Sequence, residues 1–489
     1  MKKMINKLRE LKSYEAFNFF REMNEIPRGS GNEKAISDWL VKFAKDRNLE
    51  VIQDKALNVI IKKPGTAGYE NAPTVILQGH MDMVCEKNQG TVHDFEKDPI
   101  AFIVEDDTLK ANGTTLGADN GIAVAFGLAI LDSKEIAHPP IELLVTTEEE
   151  TGMGGAMNLD PSNLNGRMLI NIDSEEEGTL LVSCSGGIRS KMSVPVQYEE
   201  VSEQYSTLAI RIRGLKGGHS GMEINKERGN SNKLMGRFLM DLNSVVDFKL
   251  ASINGGAKMN AIPREADGII LVRAEEVSRV EDKISEWSKI FANELQGIDP
   301  DLCLKAEKLD ENITRVFSDD SKIKVLRMLF LMPNGIKSMS MAIKDLVQSS
   351  TNLGVVTTTN DSVVFDSAVR SSVKSLKKSI CDEMIVLTEI LDGSIEFESD
   401  YPEWQYNPQS QIRNVFEKVY EDTFGNKPHI SAIHAGLECG LISDKFNGNI
   451  DQISFGPNIY DVHTPNEHIS ISSVERMYDY LVAVLKEIK

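Results

Sequence analysis

Cysteine is sparse and scattered in this chain. Only Cys85, Cys184, Cys303, Cys381 and Cys439 occur, an odd number with no Cys-x-x-Cys pair. That argues against a disulfide framework or a thiolate zinc site, and for reduced, buried thiols in a cytoplasmic protein. Positive charge is also short: 54 Lys and Arg stand against 74 Asp and Glu, a formal net charge of −20. A surplus of that sign argues against nucleic acid or an anionic membrane as partner, and it suits a protein that attracts divalent cations. No apolar run is long enough to cross a bilayer, and the basic start Met1-Lys2-Lys3-Met4-Ile5-Asn6 lacks the apolar stretch of a signal peptide. What remains is 489 residues, 41% hydrophobic and 26% charged, the profile of a soluble chain with more than one domain.

The stretch that organises the rest is Thr74-Val-Ile-Leu-Gln-Gly-His-Met-Asp-Met-Val84. Val75 to Leu77 predict a buried strand, which ends in the polar cluster Gln78, Gly79, His80 and Asp82. Open α/β sheets place their chemistry at the carboxyl ends of strands. His80 and Asp82, two apart, point the same way in an extended segment. A carboxylate beside an imidazole is how a metal-binding histidine is oriented, although a satisfied surface pair has the same spelling.

Further strands end in the same manner. Helices are expected over 13–24 and 33–47, with a turn at Pro27–Asn32 between them, and strands over 50–53 and 58–62. After Asp82 the chain reads as polar to about residue 112, then Gly117-Ala118-Asp119-Asn120-Gly121 precedes an apolar run, Ile122 to Leu131, suited to a buried helix. Asp119 is either the cap of that helix or a carboxylate aimed into a site. Ile141 to Thr147 reads as a strand running into Glu148-Glu149-Glu150, and Met168 to Ile172 as another running into Asp173. Glutamates packed at a strand end raise one another's pKa unless a cation holds them. One acidic strand end is ordinary; a set of them points to a cation site.

Residues 188 to about 400 change character, alternating strand-like runs (208–212, 268–272) with helical ones (232–242, 280–295). This reads as an inserted domain, long enough for two similar halves, in which 335–356 with 361–370 would echo 208–240. Within it Gly217-Gly218-His219-Ser220-Gly221 sets a histidine in a tight turn, open either to solvent or to a ligand. From about 401 the style of the first segment returns: a helix after Tyr406, the Gly-punctuated His434-Ala-Gly-Leu-Glu-Cys-Gly440, a strand into Gly456-Pro457, the loop through His463 to His468, and a last helix over 473–488. The expected domains are therefore 1–187 and 401–489 as two parts of one catalytic domain, with 188–400 inserted.

His80-Met81-Asp82, Ala118-Asp119-Asn120-Gly121, Glu149-Glu150-Thr151-Gly152, Asp173, Gly218-His219-Ser220-Gly221 and His463 together resemble the M20 clan of dizinc metallopeptidases, in the same order along the chain. The phrases Leu-Gly-Ala-Asp-Asn-Gly-Ile-Ala and His-Ala-Gly-Leu-Glu-Cys-Gly resemble its aminoacyl-histidine dipeptidase branch, also called cytosol non-specific dipeptidases. The resemblance implies an α/β fold: a dizinc-peptidase-like mixed-sheet catalytic domain interrupted by an inserted α+β lid domain. It implies that His80, Asp119, Glu150, Asp173 and His463 hold two divalent ions, with Asp119 bridging them. Asp82 would orient His80, and Glu149 would be the general base for a metal-bridging water; Glu148 receives no role. His219 would stabilise the transition state from the insert, brought in by closure about hinges near 185–188 and 397–405. Asn260, Arg370 and Gly436 are candidate substrate contacts. Histidine and carboxylate ligands suit Zn2+, with Mn2+ or Co2+ tolerated. The implied activity is hydrolysis of dipeptides of broad kind, Xaa-His included, by a cytoplasmic monomer or homodimer. An M20 deacylase or tripeptidase, and a catalytically silent binding protein on the same fold, are the alternatives.

Overall fold

The computed structural model describes residues 11, 13–201, 205–311 and 313–489; the basic stretch Met1–Asn6 lies outside them. The chain divides into two compact units: Met1–Cys184 with Trp404–Ala432 and Leu437–Lys489, and Ser185–Glu403 with Ile433–Gly436. Among the described residues no helix is long and apolar enough to cross a membrane.

The first unit is built on an eight-stranded sheet. Its order is Glu50–Gln53, Val59–Lys63, Ile141–Thr146, Val75–His80, Met168–Asn171, Asp451–Ser454, Thr179–Cys184 and His429–Ile433. Val75–His80 runs parallel to both of its neighbours, and Met168–Asn171 parallel to Asp451–Ser454. Four adjacent strands thus point one way, and their carboxyl ends share one edge. Val75–His80 and Ile141–Thr146 are buried along their whole length. That is why they spell near-continuous apolar runs rather than alternating ones.

One sheet face packs against a single core drawn from helices Tyr14–Asn24, Lys34–Asp46, Ala118–Asp132, Gln411–Phe424 and Ile471–Glu487. Ala118–Asp132 is apolar all round because it is buried all round. Gly127 sits where a Cβ would lie 2.3 Å from Leu143 Cδ1, so the helix lies close against the sheet. The buried Tyr480 ring meets the rings of Phe416, Tyr420, Phe424 and Phe455 at centroid distances of 5.4 to 6.0 Å. Its hydroxyl donates to Phe416 O at 2.7 Å, so the polar atom of this buried ring is satisfied. The last helix begins at Ile471 rather than 473, capped by Ser470, whose Oγ accepts Ser473 N–H.

A second, four-stranded sheet was not legible in the sequence, where residues 83–112 read only as polar. Phe102–Glu105 and Thr108–Ala111 form a hairpin that continues through His468–Ser470 to Ile459–Tyr460. Its turn uses Asp106 at φ 50 and Asp107, whose carboxylate accepts Ser470 Oγ and Ser472 N–H. The hairpin pairs with His468–Ser470, which pairs in turn with Ile459–Tyr460, so this sheet holds both ends of the loop that carries His463.

The second unit contains two copies of one motif. Ser206–Arg213, helix Ser231–Leu242, Phe248–Gly255, Ala266–Val272, helix Val277–Glu294 and Cys303–Leu309 make a βαββαβ unit with sheet order 4-1-3-2. Gly186–Pro195, helix Asp319–Leu331, Val347–Thr358, Ser362–Ser371, helix Lys374–Ile390 and Ser394–Tyr401 repeat it with order 2-3-1-4. The second strands of the two copies meet antiparallel at Gly255 and Val356, so one sheet runs through both. The repeat differs from the one the sequence suggested. Val347–Thr358 and Ser362–Ser371 correspond to Phe248–Gly255 and Ala266–Val272, not to 208–240. The first copy is spliced between the first strand and first helix of the other, which scrambles the order that a scan for repeats relies on.

Candidate metal centre

Every residue expected at the first unit's strand ends arrives at the shared edge. His80 closes its strand, Glu149 and Glu150 follow Ile141–Thr146, Asp173 follows Met168–Asn171, and His463 lies in the loop beyond Asp451–Ser454. Asp119 enters from the start of helix Ala118–Asp132. Its side chain makes no capping hydrogen bond to that helix, whose cap position is Gly117, and its backbone is non-helical, at φ −78 and ψ 107. Its two carboxylate oxygens divide between the histidines instead, Oδ1 lying 3.1 Å from His80 Nε2 and Oδ2 3.2 Å from His463 Nε2. His80 Nε2 also faces Asp173 Oδ1 at 3.5 Å, and His463 Nε2 faces Glu150 Oε2 at 2.9 Å. Ligand atoms of His80, Asp119 and Asp173 lie within 4.8 Å of one another, as do those of Asp119, Glu150 and His463. These are two candidate ion positions sharing one aspartate, and His80, Glu149 and Glu150 form a third such group.

The framework behind these atoms is fixed. Asp82, with no exposed surface, accepts Glu149 N–H at 3.1 Å, Glu150 N–H at 3.3 Å and Ser30 Oγ–H at 2.8 Å. It faces His80 Nδ1 at 3.3 Å, and those bonds hold its carboxyl below the usual range despite burial. Arg28 was hidden in what the sequence showed as a turn. It is 1% exposed and donates to Met81 O, Asp82 O, Gly117 O and Asn24 Oδ1. A guanidinium satisfied largely by carbonyls from two distant segments leaves little local signal. Glu438 was quoted only as part of a phrase, yet it is fully buried. Its Oε2 accepts Gln78 Nε2–H at 2.6 Å and Thr146 Oγ–H at 2.8 Å, which ties together the two strands that carry His80 and Glu149. Glu148 turns away, with its N–H on Glu33 Oε1.

The electrostatics call for positive charge. With His80 Nδ1–H directed at Asp82, Nε2 presents a lone pair to two carboxylates; only a proton or a metal ion between them makes that favourable. Burial opposes protonation of His80, yet Asp173, Asp119 and Asp82 carry its pKa well above the ordinary value. Hydrogen bonds to Asp119 and Glu150 raise His463 to about 10. Burial pushes Glu149 to about 9, with Asp173, Glu438 and Glu150 adding to the rise and His80 opposing it. Burial likewise pushes Asp173 to about 6. Glu150 Oε1 is buried without a hydrogen-bond partner. Imidazole and carboxylate donors, crowded and short of cations, fit divalent ions such as zinc.

The remaining expected residues belong to the second unit. His219 Nδ1 accepts Met222 N–H at 3.0 Å, so the neutral ring carries its proton on Nε2. Burial, with Arg370 nearby, holds its pKa below the ordinary value. Its own N–H donates to Glu223 Oε2 at 3.0 Å. Arg370 Nη1 donates to Tyr401 Oη at 2.8 Å, while its Nε is buried without a partner. A Cβ on Gly221 would lie 3.0 Å from Arg370 Nε and 3.1 Å from His219 Cε1, so these two side chains flank one turn. His434 O would lie 2.5 Å from that Cβ, and His434 Nε2 pairs with Ser350 Oγ at 2.7 Å. Asn260 is exposed, and its carbonyl accepts Ser220 N–H at 2.9 Å. Gly436 packs against the Tyr401 ring.

Residues 76–487 match peptidase family M20/M25/M40. The chain is 37% identical, over 484 residues and 99% of both sequences, to the cytosol non-specific dipeptidase of Escherichia coli strain K12. The chain belongs to peptidase family M20/M25/M40. This M20 peptidase also resembles the crystal structure of the aminoacylhistidine dipeptidase of Vibrio alginolyticus. The TM-score is 0.95 at 38% identity, over 99% of this chain and 98% of that one. The aminopeptidase PepT of Bacillus cereus shares the fold alone, at TM-score 0.57 and 16% identity over 98% and 99% of the two chains. The expected α/β architecture, a mixed sheet interrupted by an inserted α+β segment, is the architecture found.

Proposed function

We propose that this M20 peptidase is a metal-dependent dipeptidase of the cytosol that hydrolyses dipeptides of broad kind, Xaa-His among them. The observation that carries the reading is the division of Asp119 between His80 and His463, each histidine facing one further carboxylate, Asp173 or Glu150. His80, Asp119, Asp173, Glu150 and His463 would hold two divalent ions, for which zinc suits the donor set. Two such ions would polarise the scissile carbonyl and lower the pKa of a water held between them.

The chain's own groups do the rest. Glu149 takes the proton of the attacking water and passes it to the leaving amine. Its high proton affinity without cations drops when positive charge sits beside it, which brings it toward the operating pH. Asp82 fixes the His80 tautomer and, through the Glu149 and Glu150 amides, the backbone that aims both glutamates. His219, with its proton on Nε2, is a neutral donor for the developing oxyanion. Arg370, with Nε unspent, suits a substrate carboxylate, and Asn260 and Gly436 are assigned as its neighbours in binding. Residues 188–400 serve as the lid. The names of the Escherichia coli and Vibrio relatives support a dipeptide as substrate.

The test is a substrate panel on zinc-loaded protein: Gly-His, β-Ala-His, Ala-Ala, a tripeptide and an N-acetylated amino acid. Dipeptides should be hydrolysed at least tenfold faster, in kcat/KM, than the other two. Preference for the tripeptide or the N-acetyl substrate would move the assignment to a tripeptidase or deacylase. Two bound metals with no turnover would leave a silent binding protein.

A further inference from the structure

We propose that Glu467 is a positioning residue of the metal centre, which it serves by holding the backbone of Asp119; the proposal rests on the dinuclear reading above. Glu467 is 2% exposed and has no lysine or arginine in ion-pair contact among the described residues. Its carboxylate is nonetheless fully used. Oε2 accepts Leu116 N–H at 2.7 Å and Gly117 N–H at 2.9 Å; Oε1 accepts Ala118 N–H at 2.7 Å and Asp119 N–H at 3.3 Å. The carbonyl side of the same segment is pinned by the opposite charge. Arg28 Nη2 donates to Gly117 O at 2.6 Å, and Asn24 Nδ2 to Leu116 O at 2.9 Å. Gly117 must be glycine here: its φ is 70, and a Cβ would lie 2.4 Å from Arg28 Nη2.

The turn that supplies Glu467 also supplies His463. Glu467 N–H donates to Thr464 O at 3.0 Å, Asn466 N–H to Thr464 Oγ1 at 3.2 Å, and Thr464 Oγ1–H to Asp461 O at 2.7 Å. His463 and Glu467 therefore move as one piece. That piece grips Asp119 twice, at the side chain through His463 and at the main chain through Glu467. A bridging carboxylate has to present its two oxygens in two directions at once, and a rotation of the 116–119 backbone would spoil both. The plainer role, a remote cap for the first N–H groups of helix Ala118–Asp132, uses the same hydrogen bonds. The two roles differ in what happens when metal binds.

Glu467→Gln keeps the shape but leaves at least two of the four N–H groups facing an amide NH2 that cannot accept. Glu467→Asp keeps the charge and shortens the reach. Zinc affinity is measured on the folded full-length protein by competition with a chromophoric chelator, and Tm is measured with and without zinc. Positioning predicts that Kd for zinc rises at least tenfold in Glu467→Gln and less in Glu467→Asp, and that the gain in Tm on adding zinc shrinks. A zinc Kd within twofold of the wild type, with Tm lowered equally in the apo and loaded protein, would overturn the proposal and leave a helix cap. If Glu467→Gln does not fold, Glu467→Asp alone is held to the same readings. A wild type that binds no zinc would remove the metal centre itself, and this proposal with it.

Discussion

Replacing Glu149 by glutamine removes a proton acceptor and little else. No hydrogen-bond donor of the described residues depends on the Glu149 side chain, and the amide is nearly isosteric with the protonated acid that burial favours without metal. If Glu149 is the general base, zinc-loaded Glu149→Gln should turn over Gly-His roughly 10²–10⁴-fold more slowly, equivalent to about 3–5 kcal/mol on the barrier. Both metals should stay, because the atoms around Asp119 are unchanged. The metal-free protein gives a second readout. Burial holds the Glu149 carboxyl at about 9 against an ordinary 4.5. A raised carboxyl stabilises the fold fully below its unfolded pKa, and this contribution is lost as pH rises through its folded one. Metal-free wild type should therefore weaken between pH 5 and about 9 by more than Glu149→Gln, which keeps only the smaller contribution of the raised Asp173 and Glu438. At about 1.4 kcal/mol per tenfold change in proton affinity, the ceiling on that difference is on the order of 6 kcal/mol, and relaxation and entering water reduce it. Initial rates, metal content by atomic emission, and urea unfolding with chelator at pH 6 and 9 measure all three effects. A rate within tenfold of wild type with both metals present would refute the base assignment. Loss of one metal would instead make Glu149 a ligand, as its grouping with His80 and Glu150 permits.

His219→Ala should lower kcat by about 10²–10³ with a smaller change in KM, as expected for loss of one oxyanion donor, in steady-state assays on the preferred dipeptide; an unchanged kcat would leave His219 as a loop residue. Gly456→Ala should weaken the first unit by about 1–3 kcal/mol in urea unfolding and also weaken zinc binding, because the new Cβ would land 1.8 Å from Ser174 O and push on the loop behind Asp173.

What the sequence made legible was whatever depends on neighbours in the chain. Ile141–Thr146 and Val75–His80 are buried from end to end, so their apolar runs were unmistakable, and the polar residues that broke them marked the site edge. Helix Ala118–Asp132 showed its burial in the same way, but the backbone of Asp119 and Asn120 departs from the helix for a reason no local pattern contains. Tertiary partners decided the rest. Arg28 answers carbonyls 53, 54 and 89 residues away, and Glu467 answers amides about 350 residues away. The hairpin at Phe102–Ala111 escaped because its turn is Asp106-Asp107 rather than a glycine pair, and its strands are short and half-exposed. The assignment of Asn260 and Gly436 came from family pattern alone, and neither residue has a buried, unsatisfied side-chain atom that would mark it independently.

Hydrogen bonding separates most of the buried carboxylates of the first unit along the line of function, with Glu438, held by the side chains of Gln78 and Thr146 alone, standing between the two groups. Asp82, Glu142 and Glu467 are each met by two or more backbone N–H groups. A carboxylate solvated in that way is stable inside a protein and serves as framework. Glu149, Glu150 and Asp173 have no such amides on their oxygens; their neighbours are two histidines and each other. His80 offsets only part of the cost of ionising Glu149 and Asp173. Without added positive charge, burial holds the Glu149 and Asp173 carboxyls above the ordinary range. A chain that had only to be stable could have given these positions amides, as it did a few ångströms away, or apolar side chains, as along the rest of the same strands. It does neither at the one edge where four strands end together. Positive charge from outside the polypeptide would meet that need, and the two divalent ions proposed above would supply it where the attacking water has to lose a proton.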